Sequence, residues 1–485
     1  MIRLGGLLSY REGHPWGGLF VAWLALAACG PSGSAGPDIS VSPLAERERL
    51  PNPLGVYRQL GCLVGNRRFA AVGKFVYLPG PADSTYALLA LSLPNNALRF
   101  RREPPVFLAR YQVAVVVGDS AAPAAQLKEI QDVRVRSFRE TSRRDESLVF
   151  QGLLTLMAGE YPARIDVRDL GSSAGFSAET DLQVPRFGPN SISAPIIAYR
   201  VQPRASRATP PSLILNPRAT IAFAGAASLI YLETLSDADS LAILEAREKG
   251  QVLWTDTLAF QSREDGLRTA AATLDPKSLP PGALSLHARR TGEATGDSST
   301  LVVALLPDWP LASYDEAVGY LRYAGTSEEI EALRTVPPED RAQVLHAFWT
   351  RKDPVQDTAE NEFFEGYFRR LQEANDRFSD GVNAGWLTDR GAVYVTLGPP
   401  DEVSGSLDTR PGQERSQIWL YRKSLGFELQ LVFVDRGGVG VLVLTPESRR
   451  AFREAVQTVP FRSLRRELAD PPGTDPRRAG RDSPG

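Results

Sequence analysis

Residues 107–117, FLARYQVAVVV, alternate with a period of two, and Phe107, Ala109, Tyr111, Val113 and Val115 fall on one face. That is the pattern of a strand with one side in a core. Residues 161–168 repeat it, with Tyr161, Ala163, Ile165 and Val167 facing one way and Pro162, Arg164, Asp166 and Arg168 the other. Pro162 has no amide hydrogen, so either its strand is an edge or the ring sits at an unpaired position. Pro94-Asn95-Asn96, Gly118-Asp119, Ala158-Gly159 and Gly171-Ser172-Ser173 punctuate these runs as turns. Short strands divided by turns, with no helical pattern between them, predict a β-sandwich over about 69–184.

A second block, about 196–306, reads the same way. Residues 279–286 (LPPGALSL) echo 156–161 (LMAGEY), each with a turn glycine, Gly282 and Gly159, ahead of an alternating strand. The echo fits a duplicated sandwich. The stretch 202–211 (QPRASRATPP) reads as an exposed loop or linker. The arginines around 98–102 and 134–144 read as solvated strand faces rather than an anion site.

Past Pro310 the period becomes helical. Ser313 and Glu316, then Thr326 and Glu329, are spaced as capping boxes. Pro337-Pro338 opens a helix carrying Val344, Leu345, Phe348 and Trp349, which Asp353-Pro354 ends. Phe363, Phe364, Tyr367, Phe368, Leu371, Ala374 and Phe378 form a wide aromatic stripe on the next helix, a core face. After Gly385 the alternation of Val393, Val395 and Leu397 predicts a strand. Further strands are predicted at 418–421, 427–434 and 439–444, the last two joined by Asp435-Arg436-Gly437-Gly438. The fold class is therefore multidomain: two all-β sandwich-like domains, then an α+β domain with helices first and an antiparallel meander second.

Composition narrows the chemistry. Apolar residues make 43% and charged residues 23% of 485 positions, ordinary for a folded chain. Lys+Arg 55 against Asp+Glu 57 gives a formal charge of −2, so nucleic acid is not an expected partner. Three histidines and two cysteines leave few ligands for transition metals, and no cofactor or metal is expected. The chain has no G-x-S-x-G, H-E-x-x-H or phosphate loop.

The N-terminus reads as an export signal. Arg3 and Arg11 precede the uncharged run 16–28 (WGGLFVAWLALAA), which is short for a membrane span of about 20 residues. Leu26-Ala27-Ala28-Cys29 resembles a bacterial lipoprotein cleavage site, which implies that Cys29 is lipidated and becomes the mature N-terminus. The alternative is an ordinary secretory signal cut after Ala25-Leu26-Ala27, with Cys29 a free thiol. By resemblance to other lipoproteins of two-membrane bacteria, Gly30 after the cysteine favours the outer membrane. Residues 30–35 (GPSGSA) form a tether. Cys62 reads as a buried small hydrophobe rather than a catalytic thiol.

A family resemblance covers about 314–444. Phe348-Trp349-Thr350-Arg351-Lys352-Asp353-Pro354, Asn361-Glu362, Arg369-Arg370, Asn375, Phe378, Gly385-Trp386-Leu387-Thr388-Asp389-Arg390-Gly391 and Gly398-Pro399-Pro400-Asp401-Glu402-Val403 together resemble the bacterial GWxTD-domain proteins. The resemblance implies a cell-envelope protein and no assigned reaction. The expected layout is a signal peptide at 1–28, a tether at 29–50, sandwiches at 51–190 and 191–308, the GWxTD α+β domain at 309–448, and a C-terminal extension at 449–485, disordered from about 470.

Two readings of the signature compete. Asp389, Asp401 and Glu362 in one cleft would serve as acid and base, or as oxygen ligands for a hard cation. Alternatively each acid holds backbone: Asp353 in an Asx-turn, Asp389 on amides or a buried arginine such as Arg369, Asp401 on a turn, with Trp386 filling the core. Trp349, Arg351, Asn361, Thr388 and Arg390 complete the candidate set. The favoured function is a lipid-anchored, non-catalytic binding or assembly module, its partners the membrane and other envelope proteins. The alternative is a periplasmic hydrolase using the motif carboxylates.

Overall fold

The computed structural model describes residues 50–458 except 51, 144–147, 190, 224, 236–240, 294, 356–360, 381–382, 406–414, 436–437 and 439. Cys29, the export signal, the tether, the tail from 470, and the turn residues Arg436 and Gly437 with Val439 lie outside the described residues.

The first sandwich comprises helix α1 (Pro53–Gln59), strands β1 (Leu63–Asn66), β2 (Phe69–Pro79), β3 (Ser84–Leu93), β4 (Arg101–Glu103), β5 (Val106–Asp119) and β6 (Ala122–Val135), helix α2 (Phe138–Thr141), and strands β7 (Leu148–Met157), β8 (Gly159–Asp169) and β9 (Gly175–Val184). One sheet runs β1-β2-β3-β7 and the other β4-β5-β8-β9, with β6 on β5. The alternation read in the sequence sets which side faces in. Ala109, Tyr111, Val113, Val115 and Val117 are buried against Leu89, Leu91 and Leu93 of the facing sheet. β8 is a central strand, paired to both β5 and β9, and its ladder with β5 reaches Ala163. Pro162 therefore lies just beyond that ladder, where a missing N–H leaves no gap in it.

The second sandwich comprises β10 (Ile196–Gln202), β11 (Ser212–Leu215), β12 (Thr220–Ala222), β13 (Ser228–Leu235), β14 (Leu241–Glu248), β15 (Gln251–Ala259), β16 (Gln261–Ser262), β17 (Leu267–Leu274), β18 (Gly282–Arg290) and β19 (Gly296–Ala304). Its sheets run β11-β10-β13-β17-β16 and β12-β19-β18-β14-β15. Strand for strand, β10-β13-β17 over β15-β14-β18-β19 repeats β2-β3-β7 over β6-β5-β8-β9. The echoed glycines open the equivalent strands β8 and β18. Both have positive φ, 156° at Gly159 and 137° at Gly282, a region that side chains rarely enter. One connectivity used twice agrees with the duplication expected from the sequence.

The two sandwiches share a buried seam. Leu78, Tyr86, Leu88 and Ala90 of the first pack on Ile196, Leu213, Leu215 and Tyr231 of the second. The stretch 202–211 is largely the exposed loop that was expected, but Arg204 and Ser206 within it are buried. Arg204 Nε donates to Glu233 Oε1 at 2.8 Å, Nη2 donates to Glu233 Oε2 at 2.5 Å and to the Pro79 carbonyl, and Nη1 donates to the carbonyls of Arg207 and Thr209. A loop reads as solvent-exposed because its carbonyls lack ladder partners. Here those carbonyls satisfy a guanidinium fork that carries five donors.

The C-terminal region follows the predicted order with one exception. Helices α3 (Tyr314–Gly319), α4 (Ser327–Arg334), α5 (Arg341–Lys352), α6 (Glu362–Phe378) and α7 (Asp389–Leu397) precede strands β20 (Glu402–Ser404), β21 (Ser416–Tyr421), β22 (Leu429–Val434) and β23 (Val443–Leu444) and helix α8 (Pro446–Thr458). The sheet is an antiparallel meander in chain order. Thr326 and Glu329 form a complete capping box. Ser313 accepts from the Glu316 amide, but Glu316 reaches back one residue further, to the Ala312 amide. The exception is 389–397, which is a helix and not the strand that Val393, Val395 and Leu397 suggested. Gly391, Tyr394 and those three residues are all buried, so this helix is apolar nearly all round. A stripe on every side fits a period of two as well as one of 3.6. The cap by Thr388 decides the outcome.

A single cluster of buried side chains runs from Ile192 in the second sandwich to Ala455 on α8. Among the described residues no helix is long and apolar enough to cross a membrane. The seam yields a stability prediction. Arg204→Met leaves Glu233 buried without its counter-ion and should lower unfolding free energy by about 3–5 kcal/mol. In urea denaturation, the double variant with Glu233→Met should recover part of that loss.

Candidate functional site

The signature residues divide into three places. The first is the junction of α5 and α6. Trp349 is buried in an aromatic cluster, with ring centroids 4.8 Å from Phe364, 5.2 Å from Phe348 and 5.8 Å from Phe368. Asn361 caps α6: its Oδ1 accepts from the Phe364 amide at 2.9 Å, and its Nδ2 donates to the Trp349 carbonyl at 2.8 Å. One side chain thus closes the end of one helix and the start of the next. Asp353 Oδ1 accepts from the Val355 amide at 3.0 Å, the Asx-turn expected before Pro354. Arg351 and Arg369 are exposed, and Glu362 is half-buried in the first turn of α6, where a carboxylate suits the helix dipole. Trp349, Asp353 and Asn361 also line a 360 Å3 cavity, together with His346 and Thr350 from α5 and Phe223, Lys277 and Leu305 from the sandwich side.

The second place is the start of α7. Trp386 is buried against Tyr320 and Tyr323 at centroid distances of 5.7 and 6.2 Å, and the Arg322 guanidinium lies 5.6 Å from its ring centre. Thr388 Oγ1 accepts from the Gly391 amide at 3.1 Å and donates to the Gly385 carbonyl at 2.8 Å. Asp389 Oδ2 accepts from the Leu444 amide at 2.7 Å and from Arg449 Nη2 at 2.6 Å. It therefore joins the head of α7 to β23 and α8. Its arginine is Arg449 and not Arg369, which faces solvent on another helix. Arg390 lies over the Phe378 ring at 5.2 Å and reaches Gln417 at 3.5 Å. Burial lowers its pKa, and the Asp380 charge opposes this.

The glycines of this turn are set by close approach. A Cβ on Gly385 would meet the carbonyls of Ala374 and Asn375 and come within 2.7 Å of the Ser379 amide. One on Gly391 would press into the Gly385 carbonyl and the Trp386 backbone. The turn packs directly on the C-terminal end of α6, so a side chain at either position would displace backbone.

The third place is the loop after β21. Asp401 Oδ2 accepts from the amides of Arg422, Lys423 and Ser424 at 2.6, 2.7 and 3.2 Å, and from the Ser424 hydroxyl. Burial acts to raise its pKa, but the amides outweigh that and hold it below the ordinary value. Its contribution to stability is present above about pH 4 and is lost as pH falls through the depressed folded value.

Asp389, Asp401 and Glu362 thus sit on three different elements, and none of them lines the cavity that Trp349, Asp353 and Asn361 share. Among the described residues no group of three or more His, Cys, Asp or Glu is placed to hold a metal ion. Sequence reasoning missed Arg449 and the Leu444 amide. No local pattern marks a partner 60 residues away, though the basic character of α8 was there to be read.

Asp389→Asn should lower stability by about 1–3 kcal/mol, through loss of charge-assisted bonds to Leu444 and Arg449. Gly385→Ala should be the more damaging of the two, because backbone must move. Thermal unfolding of both proteins checks the order, and a raised melting temperature for Asp389→Asn would contradict it.

Residues 290–439 match the family model described as GWxTD domain. No curated protein matches the chain. The match begins at the last residue of β18, so it takes in β19 with helices α3–α7 and most of the meander, and ends before α8. The aromatic and glycine positions that build this module, Trp349, Gly385, Trp386 and Gly391, lie within the matched residues, and the chain carries a GWxTD domain.

Proposed function

We propose that this protein is a lipid-anchored component of the bacterial cell envelope, held through Cys29, that serves as a non-catalytic binding or assembly module for other envelope proteins. The reading rests above all on how the signature acids are used. Asp353, Asp389 and Asp401 each give an oxygen to backbone amides of their own domain, so the motif builds the module. A general acid or base needs an oxygen directed at substrate. Two sandwiches in series, joined by a buried seam, suit a spacer, and their edge strands suit docking by strand addition. The outer membrane is the expected location, on the strength of Gly30 after the cysteine.

Detergent-phase partitioning tests the anchor. The wild-type protein expressed with its signal should enter the detergent phase, and Cys29→Ser should stay in the aqueous phase. Mass spectrometry finding an unmodified amino end would remove the anchor. Loss of function without loss of stability in Asp389→Asn would move the reading to a periplasmic hydrolase.

A further inference from the structure

Beside the Arg204–Glu233 pair, β2 brings a second charged side chain to the seam. Val72, Val76 and Leu78 of β2 contribute to it, and Lys74 shares their side of the strand by the period of two. The β1–β2 ladder pairs Leu63 with Gly73, which puts Cys62 opposite Lys74. On the other flank Lys74 pairs with Ala90 of β3. Lys74 is half-buried on this face, and an ammonium partly withdrawn from water favours an anionic partner.

A 450 Å3 cavity opens at this point, lined by Lys74, Cys62, Arg218, Asp297, Val76 and Val302 among others. Among the described residues Lys74 has no hydrogen-bond or ion-pair partner, and its amine is lowered to about 8 by burial, with the Cys62 charge opposing. The other ionisable groups are accounted for. Arg218 Nε donates to the Ser92 hydroxyl at 2.8 Å, and Arg218 stands 4.0 Å from Asp308. Asp297 is raised by burial, against backbone bonds from Ser298 and Ala194. The Cys62 thiol is raised by burial, against the Lys74 charge. Tyr77 is pushed up to about 12 by burial and stays protonated at neutral pH. The cavity therefore holds two cations and one acid, beside an apolar wall from Val76, Ile196 and Val302. That balance favours a single negative charge on a hydrocarbon body, and Asp297 disfavours a dianion.

We propose that this cavity binds a small aliphatic carboxylate, its head paired with the Lys74 ammonium and its body lying between the two sandwiches. The site is independent of the GWxTD signature and of the anchor. Such a ligand touches β2 of one sandwich and β19 of the other, so its binding stiffens the seam.

The probe is hexanoate, with hexan-1-ol as the uncharged control, measured by calorimetric titration and thermal unfolding of the whole chain. Hexanoate should bind saturably and raise the melting temperature, while hexan-1-ol should do neither to a comparable degree. Lys74→Met keeps the length of the side chain, should fold with equal or higher stability, and should weaken hexanoate at least tenfold. The wild-type pH profile gives a readout that needs no variant. Because the anion pairs with the protonated amine, affinity should be constant below about 8 and fall about tenfold per pH unit above it. Absence of saturable hexanoate binding, equal binding of hexan-1-ol, undiminished binding to Lys74→Met, or a flat profile from pH 7 to the high side of 8 would each overturn the proposal.

Discussion

The packing of Trp309 between Tyr320 and Phe368, at centroid distances of 5.7 and 5.4 Å, fixes the helical region on the second sandwich. Trp309 lies five residues past the end of the last strand of that sandwich, so its burial decides where the chain enters α3. Phe368 belongs to the aromatic stripe of α6, which also receives Trp349. Tyr320 in turn touches Trp386. Removing apolar area of this size from water is the main favourable term in the module. The caps, turns and acid–amide bonds described above settle the direction of each element around that aromatic centre.

The GWxTD signature takes its meaning from this arrangement. Trp386 fills space beside Tyr320 and Tyr323, Gly385 and Gly391 allow backbone to approach backbone, and Thr388 starts α7. Asp389 then ties the helix to β23 and α8. Each of these residues has a geometric role within the domain. The cavity at Trp349, Asp353 and Asn361 is bounded by the sandwich as well as by the helices, so the signature also shapes the surface where the two regions meet.

Two cations at the seam between sandwiches, Arg204 buried and Lys74 half-buried, make a useful contrast. Arg204 is surrounded by acceptors from both domains and by Glu233, and its burial is compensated. Lys74 lies in the same seam with no such partner among the described residues and with a cavity in front of it. A charge of the first kind specifies how two domains meet. One of the second kind leaves its charge facing the cavity.

Strand alternation made both sandwiches legible before any coordinates, because a half-buried sheet imposes a period of two on its own sequence. The helix order was legible for a similar reason, since Thr326, Pro337-Pro338 and Asp353-Pro354 mark helix ends locally. Residues 389–397 were misread because a helix buried on most sides loses its stripe, and the burial of Arg204 and Ser206 within the loop 202–211 was not legible because it depends on the neighbouring domain. The pairing of Asp389 with Arg449, the fork of Arg204 and the isolation of Lys74 were decided only by the tertiary structure. Periodicity records which side of an element is dry, but it carries no information about which distant charge or carbonyl will be brought against it.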